Sequence, residues 1–188
     1  MAEHFKAPTI LVLSDTHGVL PNLTAVLTWA KGCRGIEQLW FLGDGIADLP
    51  LAAERAGFRP EWKFVRGNGD FDHQYPPSQT VEFAGKRFYL THGHIQGVHD
   101  RLDTLLHVAA MEEADAVLFG HTHRPYWEEL EGRLVLNPGS LGKPRNFQGP
   151  SFATLSVPSD QWFIVRFWHL IHGSLGNLQI RELEHFIT

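Results

Sequence analysis

Short apolar runs set the frame of the chain. Five stand out: residues 9–13 (TILVL), 38–42 (QLWFL), 62–65 (WKFV), 87–90 (RFYL) and 116–119 (AVLF). Each is rich in β-branched or aromatic residues and flanked by turn residues, a pattern that predicts strands. Between the first three lie stretches suited to helices. Residues 21–31 open on Pro21 and end before Gly32, and residues 47–56 end at Gly57. A glycine just past the last helical residue is a common stop. A third helix is predicted over residues 98–113. The succession strand, helix, strand, helix, strand argues for parallel pairing through right-handed crossovers.

Beyond residue 120 the texture changes. Residues 125–130 and 133–136 read as a hairpin with Glu131 and Gly132 at its turn. Residues 152–157 and 162–168 read as a second hairpin around Pro158, Ser159 and Asp160. A last strand is predicted over residues 178–183, and residues 139–149 are the most loop-like stretch. The final third is therefore expected to be mainly antiparallel. Trp162, Phe163, Phe167 and Trp168 do not alternate as a one-faced strand would. A run apolar on both sides argues for burial on both faces or for a subunit interface, and a homo-oligomer is expected on that ground. No repeat, low-complexity segment or linker divides the chain. Residues 1–188 are read as one α/β domain.

Composition narrows the function. The 188 residues suffice for one sizeable core, and 43% hydrophobic with 20% charged residues fits a globular chain. A formal net charge of -5 gives no global field to gather nucleic acid or an anionic membrane. A phosphate-bearing substrate would need positive charge supplied locally. Cys33 is the sole cysteine, which rules out an intrachain disulfide and a thiolate metal cluster. Residues 1–8 are polar and too short for a secretory leader, and no apolar stretch reaches the ~20 residues of a membrane span. A cytoplasmic protein is the expectation.

The residues that follow the predicted strands carry the chemistry. The first strand runs into Ser14-Asp15-Thr16-His17-Gly18, the second into Gly43-Asp44, and the third into Arg66-Gly67-Asn68-Gly69-Asp70. The fourth runs into Thr91-His92-Gly93-His94 and the fifth into Gly120-His121-Thr122-His123. Ligand-type residues thus sit at the carboxyl ends of five strands, the edge where α/β sheets form binding sites. Taken singly, each piece is commonplace: Gly43-Asp44 is a turn, and Asn68 between glycines suits a left-handed turn residue. His121 and His123 share a face if their strand continues. Together, in this order, they point to a metal site.

The ordered set SDTHG, GD, GNGD, THGH and GHTH resembles the calcineurin-like metallophosphoesterase superfamily over residues 8–140. With the short chain, Asn137-Pro138-Gly139-Ser140 resembles its small YfcE-type phosphodiesterases. The resemblance implies a four-layer αββα sandwich, two mixed β-sheets face to face with helices outside. It implies one metal ion held by Asp15, His17, Asp44 and His123, and a second held by Asp44, Asn68, His92 and His121. Asp44 would bridge, since a carboxylate can serve two ions about 4 Å apart. Two carboxylates against two divalent cations leave about two positive charges for an anionic ester. A water between the cations, deprotonated near neutral pH, would attack phosphorus in line with the leaving oxygen. Imidazole and carboxylate ligands suit Mn, Fe, Zn, Co or Ni better than Mg, and the family points first to Mn.

Around these ligands the roles are less determined by sequence. His94 reads as a phosphate contact, as support for a ligand, or as a rim histidine. Asp48 reads as a helix-terminus charge. Asp72 and His73 read as a solvated loop before a reach into the pocket, and Lys143 and Arg145 as solvated loop charges before contacts to a substrate's distal phosphate. Many members of the superfamily carry a histidine directly after the metal-binding Asn, able to protonate the leaving oxygen; here Gly69 stands there, and glycines on both sides of Asn68 suggest a left-handed backbone. The expected activity is hydrolysis of a small phosphate ester, a phosphodiester first. The rival readings are a phosphomonoesterase or a dinucleotide polyphosphate hydrolase, a nuclease that lacks its basic patch, and a catalytically weak or inactive scaffold like the retromer subunit of this fold.

Overall fold

The computed structural model describes residues 3–146, 148–173 and 177–183. The strands are β1 (His4–Leu13), β2 (Arg34–Phe41), β3 (Glu61–Phe64), β4 (Ser78–Phe83), β5 (Lys86–Thr91), β6 (Ala116–Leu118), β7 (Pro125–Leu130), β8 (Arg133–Pro138), β9 (Ser151–Ser156), β10 (Ile164–His172) and β11 (Leu178–Glu182). The helices are α1 (Leu20–Gly32), α2 (Leu49–Ala56) and α3 (Asp103–Met111). No helix among the described residues is long and apolar enough to cross a membrane.

The strands form a six-stranded sheet in the order β11-β10-β9-β1-β2-β3 and a five-stranded sheet in the order β4-β5-β6-β8-β7. As the strand–helix alternation predicts, β1, β2 and β3 pair in parallel. The later strands β9, β10 and β11 pair antiparallel, as expected. In the second sheet β6 lies parallel to both β5 and β8. Both sheets are therefore mixed, in the four-layer αββα arrangement.

Why the strand runs are continuously apolar is visible in β1. Ile10 and Val12 face the second sheet with Trp40, Phe88 and Leu118. Leu11 and Leu13 face outward, under α1 and α2 with Leu23, Leu27 and Ala52. All four are fully buried, the signature of a sheet covered on both faces. On the outer side of the other sheet, Leu105 and Ala109 of α3 cover Tyr89, Val117 and Val135.

Three departures from the sequence reading have physical causes. β4 was not expected, because Ser78–Phe83 mixes polar residues with few apolar ones. It is an edge strand joined to β5 through Ala84 and Gly85, both left-handed. The third helix is shorter than residues 98–113. The amides of Gln96 and Val98 fold back on the Gly93 carbonyl at 3.1 and 3.4 Å, and Gly93 and Gly97 are left-handed. Val98 is buried, but through a turn. The aromatic run in β10 also resolves within one chain. Phe167 enters the core between the sheets. Trp168 enters the core beneath α1, where its ring lies 4.8 Å from Trp29 and its indole N–H donates to Thr154 Oγ1 at 2.9 Å. Phe167 and Trp168 therefore need no second copy to bury them, whereas Trp162, ahead of β10, is exposed.

Adjacent residues filling different cores make a clear expectation. Phe167→Ala and Trp168→Ala should each cost about 3–5 kcal/mol, read as a lowered urea midpoint with no change in sedimentation mass. A changed mass with an intact midpoint would return these residues to an interface.

Candidate metal centre

The loops at the carboxyl ends of the strands extend the ladders and then turn together. Asp15 N–H donates to the Gly43 carbonyl at 2.9 Å, His17 N–H to Asp44 O at 3.1 Å, and Gly120 N–H to His92 O at 3.0 Å. Asp15, His17, Asp44, His121 and His123 all have positive φ, between 46° and 68°. Only Ala84, Glu113 and Glu131 share that conformation among the other described non-glycine residues. A left-handed residue other than glycine costs of order 1–3 kcal/mol and persists only where its surroundings impose it. This corrects the strand argument for His121 and His123: β6 ends at Leu118, and the two rings are turned inward by left-handed backbone. Asn68 and its flanking glycines, expected to be left-handed, are not.

The turned side chains converge. Asp15, His17 and His123 each bring a ligand atom within 4.8 Å of the others, and so do Asp15, Asp44 and His92. His123 Nε2 lies 3.1 Å from both Asp15 Oδ1 and His17 Nε2. His17 Nε2 and His92 Nε2 lie 3.8 and 3.6 Å from Asp44 Oδ2.

Hydrogen bonds on the far side of each ligand fix which atom faces inward. His92 Nδ1 lies 2.6 Å from the Leu42 carbonyl, and His123 Nδ1 lies 2.8 Å from the Lys143 carbonyl. A carbonyl only accepts, so both Nδ1 atoms carry the proton and both Nε2 atoms present a lone pair. Asp15 Oδ2 accepts from Ser14 Oγ at 2.6 Å and from His121 N–H at 3.1 Å. Asp44 Oδ1 accepts from Gly69 N–H at 2.6 Å. Left over are Asp15 Oδ1 and His92 Nε2, both buried without a hydrogen-bond partner. Lone pairs facing lone pairs away from water require a positive charge between them. The residues fit a metal ion.

Electrostatics point the same way. Burial raises the Asp15 carboxyl, and protonated His123, His17 and His92, with Ser14, would outweigh it and hold the group well below the usual carboxylate range; with Nε2 unprotonated, that stabilising positive charge has to come from a cation instead. His121 is pushed down to about 4, first by burial and then by His92 and His99. It therefore stays neutral, as a ligand must. Its ring lies 5.0 Å from that of His92. His94 is lowered by burial and then by His92; its ring is 5.4 Å from that of His92, and its buried Nδ1 has no partner. Asn68 sits with an exposed side chain between two glycines that pack on Asp44.

Those glycines are there for space. A Cβ on Gly67 would lie 2.1 Å from Asp44 Oδ1, and one on Gly69 would lie 3.1 Å from it.

Several residues that sequence reasoning passed over hold the loops in place. The Asp70 carboxylate accepts from the backbone N–H of Asp44, Gly45, Ile46 and Gly67 at 2.7–3.0 Å, tying the second loop to the third. Its place at the end of GNGD was the available signal. Asp48, read as a helix-terminus charge, makes no cap bond. It accepts from Thr16 Oγ1 at 2.6 Å and Gly18 N–H at 3.0 Å, fastening the loop that bears His17. Asn137 donates to the Gly120 carbonyl at 2.8 Å, and Ser140 to the Asp15 carbonyl at 2.8 Å. Asp72 and His73 are exposed and bond within their own loop, as expected.

Comparison with known proteins agrees with this geometry. The profile of the calcineurin-like phosphoesterase superfamily domain matches residues 9–160. The chain is 29% identical over 172 residues to the probable metallophosphoesterase YsnB of Bacillus subtilis, covering 92% of this chain and 97% of YsnB. It is 39% identical over 143 residues to a phosphodiesterase of Methanocaldococcus jannaschii, covering 68% and 81% of the two chains. A solved structure of a conserved uncharacterized protein, a predicted phosphoesterase, from Streptococcus pneumoniae superposes with a TM-score of 0.74 at 27% identity, over 94% of this chain and 99% of that one. Vps29 of Chaetomium thermophilum, at 22% identity, superposes with a TM-score of 0.72 over 93% and 94%, which speaks to the fold alone. The chain belongs to the calcineurin-like phosphoesterase superfamily.

Proposed function

We propose that this protein is a phosphodiesterase whose centre holds two divalent cations, manganese first among them. The observation that carries this reading is the set of inward-facing atoms without donors, Asp15 Oδ1 and His92 Nε2, beside imidazoles whose tautomers are fixed by backbone carbonyls. Asp15, His17, Asp44 and His123 would hold one ion. Asp44, Asn68, His92 and His121 would hold the other. Bound there, such a pair supplies a deprotonated water as nucleophile and neutralises charge on the phosphoryl oxygens.

The chain's own residues orient and limit this chemistry. Asp44 Oδ1 is engaged by Gly69 N–H, which turns Oδ2 toward His17 and His92. His94, whose ring lies beside those of His92 and His121, would donate to a phosphate oxygen. Gly69 offers no side-chain proton to the leaving oxygen. Its amide is spent on Asp44.

Three outcomes test the reading. Purified protein incubated with Mn should hold close to two ions per chain by elemental analysis, and chelation should abolish hydrolysis of bis(p-nitrophenyl) phosphate until Mn is restored. No bound transition metal, together with no hydrolysis, would overturn it.

Asp44→Asn should lower occupancy of both ions at once, whereas Asp15→Asn should mainly empty one. Asp15 belongs to both convergent groups and Asp44 to one, so the reverse result would make Asp15 the bridge.

Rates across diesters with graded leaving groups should fall steeply as the leaving group becomes more basic. His94→Ala should lower kcat at least tenfold across that whole series with metal content unchanged. A steeper slope in the variant would identify His94 as the general acid instead.

A further inference from the structure

Beside the metal centre lies a cavity of about 610 Å³ that the reading above leaves unused. Its back wall is apolar. Val98 and Phe119 are buried there, and the Tyr126 ring lies 6.2 Å from Phe119. The Tyr126 hydroxyl is taken up by Glu128 Oε2 at 2.5 Å, so it turns no free donor into the cavity. The rim is cationic: Arg101, Arg124 and Arg145 line it, against one carboxylate, Asp100. Arg101 is partly engaged by Asp103 at 3.9 Å. Arg124 and Arg145 form no ion pair among the described residues.

Two links join this cavity to the proposed ligands. The His99 ring, on the cavity wall, lies 4.6 Å from the His121 ring. Thr122, between His121 and His123, lines the wall as well. The backbone that carries the arginines is also tied to the centre. Arg124 follows His123 directly, and Arg145 N–H donates to the His123 carbonyl at 3.0 Å. A molecule with one group on the metals can therefore reach the cavity without leaving the surface.

We infer that the cavity takes a second phosphate of the substrate, carried on one ester arm of a diester whose other phosphate is hydrolysed at the metal centre. This rests on the phosphoesterase reading and names the class of substrate. Two guanidiniums on separate loops can share the several oxygens of a terminal phosphate, which a single surface cation grips poorly. The apolar wall accommodates the carbon framework that separates the two phosphates. In a chain of net charge -5, Arg124 and Arg145, without ion-pair partners among the described residues, are local positive charges on a rim where Arg101 is already offset by Asp103. They favour anions over the neutral arms that a purely metal-based site would accept equally.

The test has two arms. In the first, EDTA-treated protein is titrated calorimetrically with inorganic pyrophosphate. Wild type should bind it saturably, and the double variant Arg124→Ala/Arg145→Ala should bind at least tenfold more weakly. Absent binding, or equal binding by both proteins, would overturn the inference. In the second, the Mn-loaded protein is given thymidine 5′-(p-nitrophenyl phosphate) with and without a 3′-phosphate, a matched pair releasing the same chromophore. Wild type should favour the 3′-phosphorylated substrate at least tenfold in kcat/KM, chiefly through KM, and the double variant's preference should fall toward one. A preference equal in both proteins would overturn the inference while leaving the esterase reading intact. Failure of wild type to cut either substrate would instead sink the esterase reading, and with it the assignment of the second phosphate to a substrate.

Discussion

At the meeting point of the two sheets, Asp15, Asp44, His92 and His123 each have one atom held by a hydrogen bond from the surrounding loops and another turned inward. Asp15 spends Oδ2 on Ser14 and on the His121 amide and leaves Oδ1 bare. Asp44 spends Oδ1 on the Gly69 amide. His92 and His123 spend Nδ1 on carbonyls. What remains is a shell of acceptors pointed at one another in a space largely closed to water. Such an arrangement is repulsive by itself. It holds because the surrounding loops are fixed independently: Asp70 gathers four amides, Asp48 fastens the first loop, and Asn137 and Ser140 pin the turn and strand end that bear His121 and Asp15. The left-handed conformation of five proposed ligands is part of the same constraint. Five of the eight left-handed non-glycine residues among those described, and the bare Asp15 Oδ1 and His92 Nε2, meet at one edge of the fold, while the two outer cores and the inner one close around ordinary aliphatic and aromatic packing.

Much of this was legible in the sequence, and the reasons are specific. The buried strands announce themselves because both faces of β1 and β2 are covered, so their apolar runs are unbroken. The helix stop at Gly57 follows from the left-handed freedom of glycine, which takes φ 63° there, whereas Gly32 is the last residue of α1, is not left-handed, and the helix ends at an extended Cys33. The convergence of Asp15, His17, Asp44, His92 and His123 was expected because each follows a strand at the edge where parallel strands end. By contrast, β4 carries too few apolar residues to register, being half-exposed at a sheet edge. The turn ahead of α3 was taken for helix because Val98 is apolar, and periodicity cannot tell a buried turn residue from a helical one.

The supporting residues were illegible for a different reason. In one dimension Asp48 looks like a helix-terminus charge, and only its place in GNGD marks Asp70. Their roles arise only when loops distant in sequence are brought side by side, 30 residues apart for Asp48 with Gly18 and 26 for Asp70 with Asp44. The glycines around Asn68 invited an argument from backbone freedom, yet their φ values are unremarkable. Space for the Asp44 carboxylate is what excludes a Cβ at Gly67. A glycine in a motif can thus record a close approach by a distant side chain as readily as a turn, and a single sequence does not distinguish the two.

Charge ties these levels together. A chain of net charge -5 would repel an anionic ester at long range, so attraction has to be built at close quarters. Cations at the centre would act on the reacting phosphoryl group, and they would do so for almost any ester. Interactions with a part of the substrate that does not react can select among esters, because they add binding energy without altering the chemistry at phosphorus. The arginine-rimmed cavity lies beyond His99 and His121, just outside the ring of proposed ligands, where such a contact would have to be. On this view the acidic surface and the cationic rim serve one end. The first discourages adventitious polyanions that lack a matching second phosphate, and the second rewards the ligand that carries one.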